Sequence, residues 1–317
     1  MFLISTGLLV TIILLSVLLI LIILLLPPFI IANYIFNKHL VRKSKDQWIR
    51  DCSAKDNEEQ VRMFDLGIKW AKENETYLND IEITNDGLNL KGQYFDFGYD
   101  RCAIILQGRT ESLYYSYYYA KPYQDAWFNI LVIYSRAHGL SEGKYNTVGY
   151  KEYKDVLKWS ELVTEKYGIK KYIIHGICIG SATGLKALVN SKNDYFIGIV
   201  TDGMYINFYE TFKNHMIEDK RPLHPFIDFL VLIMKIRCGV NIKKNGPEKD
   251  ILKLNKPILF IYSKEDKFSL PDKAQYLYDI CNSKKEIAWF DKGAHSHIRI
   301  NNQEQYDKVI KDFIETL

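Results

Sequence analysis

Residues 173 to 184 read IIHGICIGSATG, with Gly176, Cys178 and Gly180 at alternate positions directly after a run of apolar β-formers. A strand that turns sharply into a helix at such a point holds the middle side chain up at the strand tip. Glycines two positions to either side relieve the crowding in that strained turn. The middle residue here is a thiol, and the helix that follows, SATGLKALVN, puts it at a helix N-terminus, where the dipole favours a thiolate. A free cysteine is usually just a small buried hydrophobe. Strand, spacing and helix together point instead to a nucleophile for acyl transfer.

Such a nucleophile needs an acid and a histidine later in the chain, in that order. After the apolar run PILFIYS comes KEDKFSLPDKA, which places Asp266 just past a strand end, with Glu265 as its close competitor. The segment EIAWFDKGAHSHIRI then gives a strand and a loop carrying His295 and His297, with one amphipathic helix left. His138, in an early loop, and His175, inside the elbow strand, are less suited to act as the base. Oxyanion donors are expected from QGRT, just past the strand CAIIL, where Gly108 lets the backbone turn and the Arg109 N–H faces the site. The second donor is the N–H of Ile179, the residue after the nucleophile.

Those residues need a scaffold, and one is legible from Ile81 onward. IEIT and LNLKGQYFDF flank the hairpin signal NDG. CAIIL, NILVIYS, KYIIHG, FIGIVTDG, PILFIYS and EIAWF follow as strands, with amphipathic helices between most of them. This alternation predicts an α/β fold, a mainly parallel sheet with helices on both faces. Between Asp202 and Asn255 the rhythm breaks into a long helical stretch, read as a lid insertion at about 203–254. Its apolar piece FIDFLVLIMKI is too short for a membrane span and carries Asp228 and Lys235. The tract SLYYSYYYAKPYQDAW is either lining for an apolar pocket or ordinary core packing.

Residues 2–26 are almost all Leu, Ile and Val, and the first charged side chain is Lys38. That run exceeds the roughly 20 residues needed to cross a bilayer, and Pro27-Pro28 is expected to break the helix after it. A signal peptide would carry a basic leading region, a shorter apolar core and a small-residue cleavage site. None is evident, so residues 1–30 read as a single-pass anchor in the cell membrane. Arg42, Lys43, Lys45 and Arg50 follow the span and place the globule in the cytoplasm. Residues 31–79 read as a juxtamembrane linker holding a stalk or docking helix with Val61, Phe64, Ile68 and Trp70 on its apolar side.

A net charge of +4 without a basic, aromatic-interleaved run gives no signal for nucleic acid. Five cysteines without a C-x-x-C pair form neither a disulfide framework nor a zinc site. With no metal-ligand cluster and no phosphate-cradling glycine loop, no cofactor or metal is expected.

Taken together these residues resemble the α/β-hydrolase superfamily, within it the membrane-anchored bacterial serine aminopeptidase-like and esterase-like hydrolases. The likeness runs from about Trp70 to the C-terminus, with 80–317 as the hydrolase domain. DGLNLKGQYF is similar to that group's opening hairpin, SRAHGLSEGKYNTVGYKEYKDVLKW to its D-x-R-x-H-G-x-S-x-G loop, and SKEDKFSLPDKA to its acid loop. The resemblance implies a Cys178–His295–Asp266 triad, with His295 ranked above His297. Cys178 stands where the group has serine, Gln107 where its oxyanion motif has histidine, and Ser135 where aspartate is common. Cysteine at the elbow is also found in dienelactone hydrolases. The implied function is cleavage of an ester or thioester in a small acyl or lipid-like substrate, with peptide cleavage second. The alternative is a non-catalytic binding or scaffold protein at the membrane.

Overall fold

Asp86 and Gly87 both adopt positive φ, 49° and 74°, as a two-residue type I′ hairpin turn requires. Strand β1 (Leu78–Asn85) therefore folds back antiparallel on β2 (Leu88–Phe95). Strands β3 (Cys102–Leu106) and β4 (Asn129–Ile133) follow, then β5 (Tyr172–Ile177), β6 (Phe196–Asp202), β7 (Ile258–Ser263) and β8 (Lys285–Phe290). They form one eight-stranded sheet in the order β1-β2-β4-β3-β5-β6-β7-β8. β2 pairs antiparallel with β4, and every pairing beyond it is parallel. β3, β4, β5 and β7 are buried at every residue, the consequence of helices covering both faces. This computed structural model describes residues 5–44, 57–244 and 246–317. Residues 45–56 of the expected linker, with Lys45, Arg50 and Cys52, lie outside them.

The helices are α1 (Thr6–His39), α2 (Glu58–Glu73), α3 (Leu113–Tyr118), α4 (Lys121–Asp125), α5 (Tyr153–Tyr167) and α6 (Ile179–Asn190). After them come α7 (Phe208–Glu218), α8 (Phe226–Cys238), α9 (Pro247–Asp250), α10 (Pro271–Ile280), α11 (Ile298–Asn301) and α12 (Gln303–Glu315). On one sheet face Val156, Trp159, Leu185 and Leu277 from α5, α6 and α10 pack with Ile104, Ile174, Ile199 and Phe260. On the other, Met63, Leu113, Tyr123, Tyr306 and Phe313 from α2, α3, α4 and α12 pack with Ile105, Ile173 and Ile261. The chain divides into two compact units, Met1–Val41 with Phe212–Asn241, and Arg42–Thr211 with Ile242–Leu317.

In the second unit α2 lies against the globule. Asn57 caps it by accepting from the Gln60 amide at 3.1 Å, and Gln60, Met63, Gly67 and Trp70 are its buried side. Gly67 is required there, because a Cβ would stand 2.8 Å from the Tyr114 carbonyl oxygen. The Trp70 ring sits 4.8 Å from Phe95, and its indole N–H donates to Gln124 at 2.8 Å. Of the two readings of the tyrosine tract, packing prevails: Tyr115, Tyr117, Tyr118, Tyr119 and Tyr123 are all buried in the core.

In the first unit the expected break at Pro27-Pro28 does not occur, and α1 runs through both prolines to His39. Each proline keeps a helical φ but removes one N–H donor and crowds the carbonyl four residues back, a cost of about 3 kcal/mol or more that the packing has to offset. Pro28, Ala32 and Phe36, spaced by four, are the buried residues of α1, and α8 packs along this helix. Tertiary packing there overrides a local breaker. Between β6 and β7 the described residues contain helices and no strand.

Replacing the docked indole tests the weight of the α2 contact. Trp70→Ala should lower the unfolding free energy by about 3–5 kcal/mol, as for other buried aromatic truncations. Thermal melts of the purified full chain would read this as a fall in Tm, and an unchanged Tm would place α2 outside the cooperative core.

Candidate active site

Cys178 has φ 55° and ψ −113°, backbone angles that are strained for any side chain but glycine. The strain is imposed by close packing. A Cβ on Gly176 would fall 2.3 Å from the Ser181 nitrogen, and one on Gly180 would fall 2.1 Å from the Leu106 carbonyl oxygen. Both glycines are therefore needed for α6 to start where β3 and β5 end. The Cys178 amide donates to the Asp202 carbonyl at 2.8 Å. The Ser181 hydroxyl is 2.6 Å from the Gly176 carbonyl and 3.1 Å from that of Asp202. The turn is thus tied to the end of β6.

Asp266 follows β7 and is 2 % exposed. One carboxylate oxygen accepts the Phe268 and Ser269 amides at 2.7 and 2.8 Å, which turns the other toward His295 Nδ1, 2.7 Å away. The Cys178 sulfur lies near enough to the His295 ring to act on it electrostatically. Burial alone would push this imidazole down, but the neighbouring Cys178 and the hydrogen bond to Asp266 hold it well above the ordinary histidine range. Gly203, at φ 60°, closes the back of the pair: a Cβ there would lie 3.1 Å from His295 Cε1. The half-exposed Phe268 ring lies 5.0 Å from the His295 ring. The structure thus brings the His295 ring beside both Asp266 and Cys178.

The competing residues have other work. Glu265 accepts the Gly293 amide at 3.0 Å and holds the loop that carries His295. His297 lies between Gln60, at 2.8 Å, and Glu59, at 2.9 Å, and so ties that loop to α2. His138 is buried with Nε2 2.6 Å from the Arg109 carbonyl and Nδ1 3.0 Å from that of Arg136. Burial pushes its pKa down. It fixes the loop on which Arg109 sits, while Glu111 accepts the Gly108 amide at 2.9 Å. The Ile179 amide is the first of α6, and a first-turn amide has no partner within its own helix. A cavity of about 20 Å³ lies between these loops, lined by Gln107, Arg109, His138, Asn146, Ile179 and Thr183 among others. Among the described residues neither polar atom of the buried Gln107 amide finds a hydrogen-bond partner.

Sequence reasoning missed Asp202, at the end of β6 and fully buried. Tyr306 donates to it at 2.7 Å, and His175 Nε2 stands 3.1 Å from the Tyr306 oxygen. The second Asp202 oxygen and His175 Nδ1 have no partner among the described residues. Burial pushes the Asp202 carboxyl up to about 7, although Tyr306 and the charge on His295 pull the other way. It pushes His175 down to about 3. The signal available in the sequence was TDG, an acid beside a glycine at a strand end.

The raised carboxyl sets a sign for stability. The folded chain keeps the Asp202 proton above the pH at which the unfolded chain releases it, so stability falls between about pH 4 and pH 7 and then levels. Asp202→Asn removes that slope. Relative to the parent, the variant should gain on the order of a few kcal/mol at about pH 8 compared with about pH 4. Paired melts check this, and a pH-independent difference would show that Asp202 titrates normally.

No protein-family model matches the chain. The uncharacterized protein YqkD of Bacillus subtilis is 28 % identical over 219 residues, spanning 68 % of this chain and 71 % of that one. Among solved structures, the esterase Pf2001 of Pyrococcus furiosus superposes with a TM-score of 0.64 at 23 % identity, over 78 % of this chain and 93 % of that one. The α/β hydrolase GrgF of Penicillium sp. sh18 gives 0.59 at 15 % identity, over 75 % and 98 %. Likeness at this level of identity establishes the fold.

Proposed function

We propose that this chain, which has the α/β-hydrolase fold, is a membrane-tethered hydrolase of ester or thioester bonds that uses Cys178 as its nucleophile. The observation that carries the reading is that Asp266 bonds the His295 ring, on which the Cys178 sulfur at a strained elbow also acts. In such an arrangement the acid fixes the imidazole tautomer and the imidazole manages the proton of the attacking atom.

The sulfur attacks the acyl carbonyl while His295 Nε2 holds the proton taken from it. The carbonyl oxygen becomes an oxyanion, facing the Arg109 and Ile179 amides. His295 then gives its proton to the departing alkoxide or thiolate, leaving the acyl group on Cys178. Water loses a proton to His295 and attacks that thioester, and the acid leaves as the sulfur is released. Asp266, bonded to Nδ1, balances the imidazolium throughout. A sulfur is larger than a serine oxygen, and displacement of the attacking atom by about 1 Å costs on the order of a hundredfold in rate. Activated acyl groups should therefore turn over better than amides.

The helix α1 is long and apolar enough to cross a membrane, and we read it as a retained anchor. Arg42 and Lys43 after the span support a cytoplasmic globule. The apolar insertion and the anchor favour a lipid-like acyl substrate over a soluble one.

With short-chain nitrophenyl esters and the full chain in detergent micelles, Cys178→Ala should fall to background. His295→Ala should lose about 10²- to 10⁴-fold in kcat/KM, the usual worth of a general acid–base group. Equal rates in the parent and Cys178→Ala would eliminate the proposal. A faster Cys178→Ser would instead mark a serine site whose nucleophile has been replaced.

A further inference from the structure

The insertion contributes a second apolar element beside α1, and it is distinct from the site described above. α8 carries two apolar faces. Ile227, Leu230 and Met234 form its buried side. Phe229, Leu232 and Ile236, at i, i+3 and i+7, form a second stripe along the helix. Leu232 is 44 % exposed and Ile236 72 %, which is unusual for neighbouring large aliphatic side chains on one helix face.

The contacts with α1 fix the direction of α8. The Phe29 and Phe229 rings meet edge to face at 5.6 Å. Further along, the Arg237 guanidinium donates to Asn33 at 3.2 Å and Asn37 at 3.1 Å, and lies 4.8 Å from the Phe36 ring centre. The two helices therefore run in the same sense, with Phe229 beside the apolar half of α1 and Arg237 beside its polar end. α1 is 34 residues long, about 51 Å at the usual helical rise, against a hydrocarbon core of about 30 Å. Its apolar run to Leu26 fills that core, so residues 27–39 fall at the boundary with water. Phe29, Ile30, Ile31 and Tyr34 are exposed there, and the Phe29–Phe229 contact joins their surface to the α8 stripe.

We propose that the Phe229–Leu232–Ile236 face of α8 is a lipid-binding surface, seated in the headgroup region of the bilayer that holds α1. The inference rests on the reading of α1 as a retained membrane anchor. Its occupant is the bilayer, because the stripe continues the apolar surface of α1 and ends beside the exposed Lys235, where phosphate headgroups would meet it. Depth should follow the helix direction: Leu232 lies deeper than Ile236, and both lie shallower than Leu18 in the middle of α1. The insertion is thereby fixed at the membrane surface by its own side chains as well as by its packing on the anchor.

The test places an environment-sensitive fluorescent amino acid at Leu18, Leu232, Ile236 or the exposed Leu140, one position at a time. The full chain is reconstituted in nanodiscs of phosphatidylcholine and phosphatidylglycerol at roughly three to one, with lipids carrying a doxyl quencher at shallow or deep positions. The Leu232 probe should be blue-shifted and lose more than about half its emission to shallow quencher, the Ile236 probe less, and the Leu140 probe almost nothing. A Leu232 probe that behaves like Leu140 while Leu18 is quenched by deep lipid overturns the inference and leaves the anchor standing. A Leu18 probe untouched by lipid overturns the anchor, and the inference with it. A blue-shifted Leu232 probe that no lipid quenches, with energy transfer between two labelled chains, overturns it in favour of a second copy.

Discussion

The site depends on one steric constraint, the approach of the first turn of α6 to the ends of β3 and β5. With only a hydrogen in place of a side chain at Gly176 and Gly180, the helix begins almost in contact with the Leu106 carbonyl and the strand it leaves. That leaves Cys178 no relaxed conformation, and it takes φ 55° with its amide tied to Asp202. Backbone strain of this kind costs on the order of 1–3 kcal/mol and persists only where surrounding structure over-determines it. Here the surroundings are the most deeply buried strands of the sheet, so the sulfur is aimed by the core rather than by a loop.

Two buried carboxyl groups near that sulfur are partnered very differently. Asp266 receives two backbone amides and the His295 ring. Asp202 receives one phenol, and its other oxygen has no partner among the described residues. A lone hydrogen bond does not offset the desolvation of a full charge, and the carboxyl moves up to about 7. Elsewhere Arg136 holds Asp155 at 2.6 and 2.7 Å in a buried pair, and burial still leaves that carboxyl above its ordinary range against the pull of the guanidinium.

Much of this was legible in the sequence, because the strands are long apolar runs and the elbow spacing is a steric requirement rather than a preference. Position after strands narrowed the acid to Asp266 or Glu265 and the base to His295 or His297, since chain order fixes which loops meet at one rim of a parallel sheet. The resemblance to known hydrolases then ranked His295 above His297. What was not legible depends on contacts distant in sequence. The helix of α1 survives two prolines because Ala32 and Phe36 are buried in its packing with α8. His297 is drawn away from the site by Gln60 and Glu59, more than two hundred residues earlier in the chain. Asp202 looks like an ordinary strand-end acid until Tyr306, from the last helix, closes over it.

The central claim is that the acyl group passes through the sulfur of Cys178. Acid-quenching an ester turnover within its first cycle and locating the acyl mass by peptide mass spectrometry tests it most directly. The account requires the adduct on the peptide sulfur at Cys178, with none in Cys178→Ala. Steady turnover with the acyl group on Ser181, or with no covalent adduct at all, would contradict it.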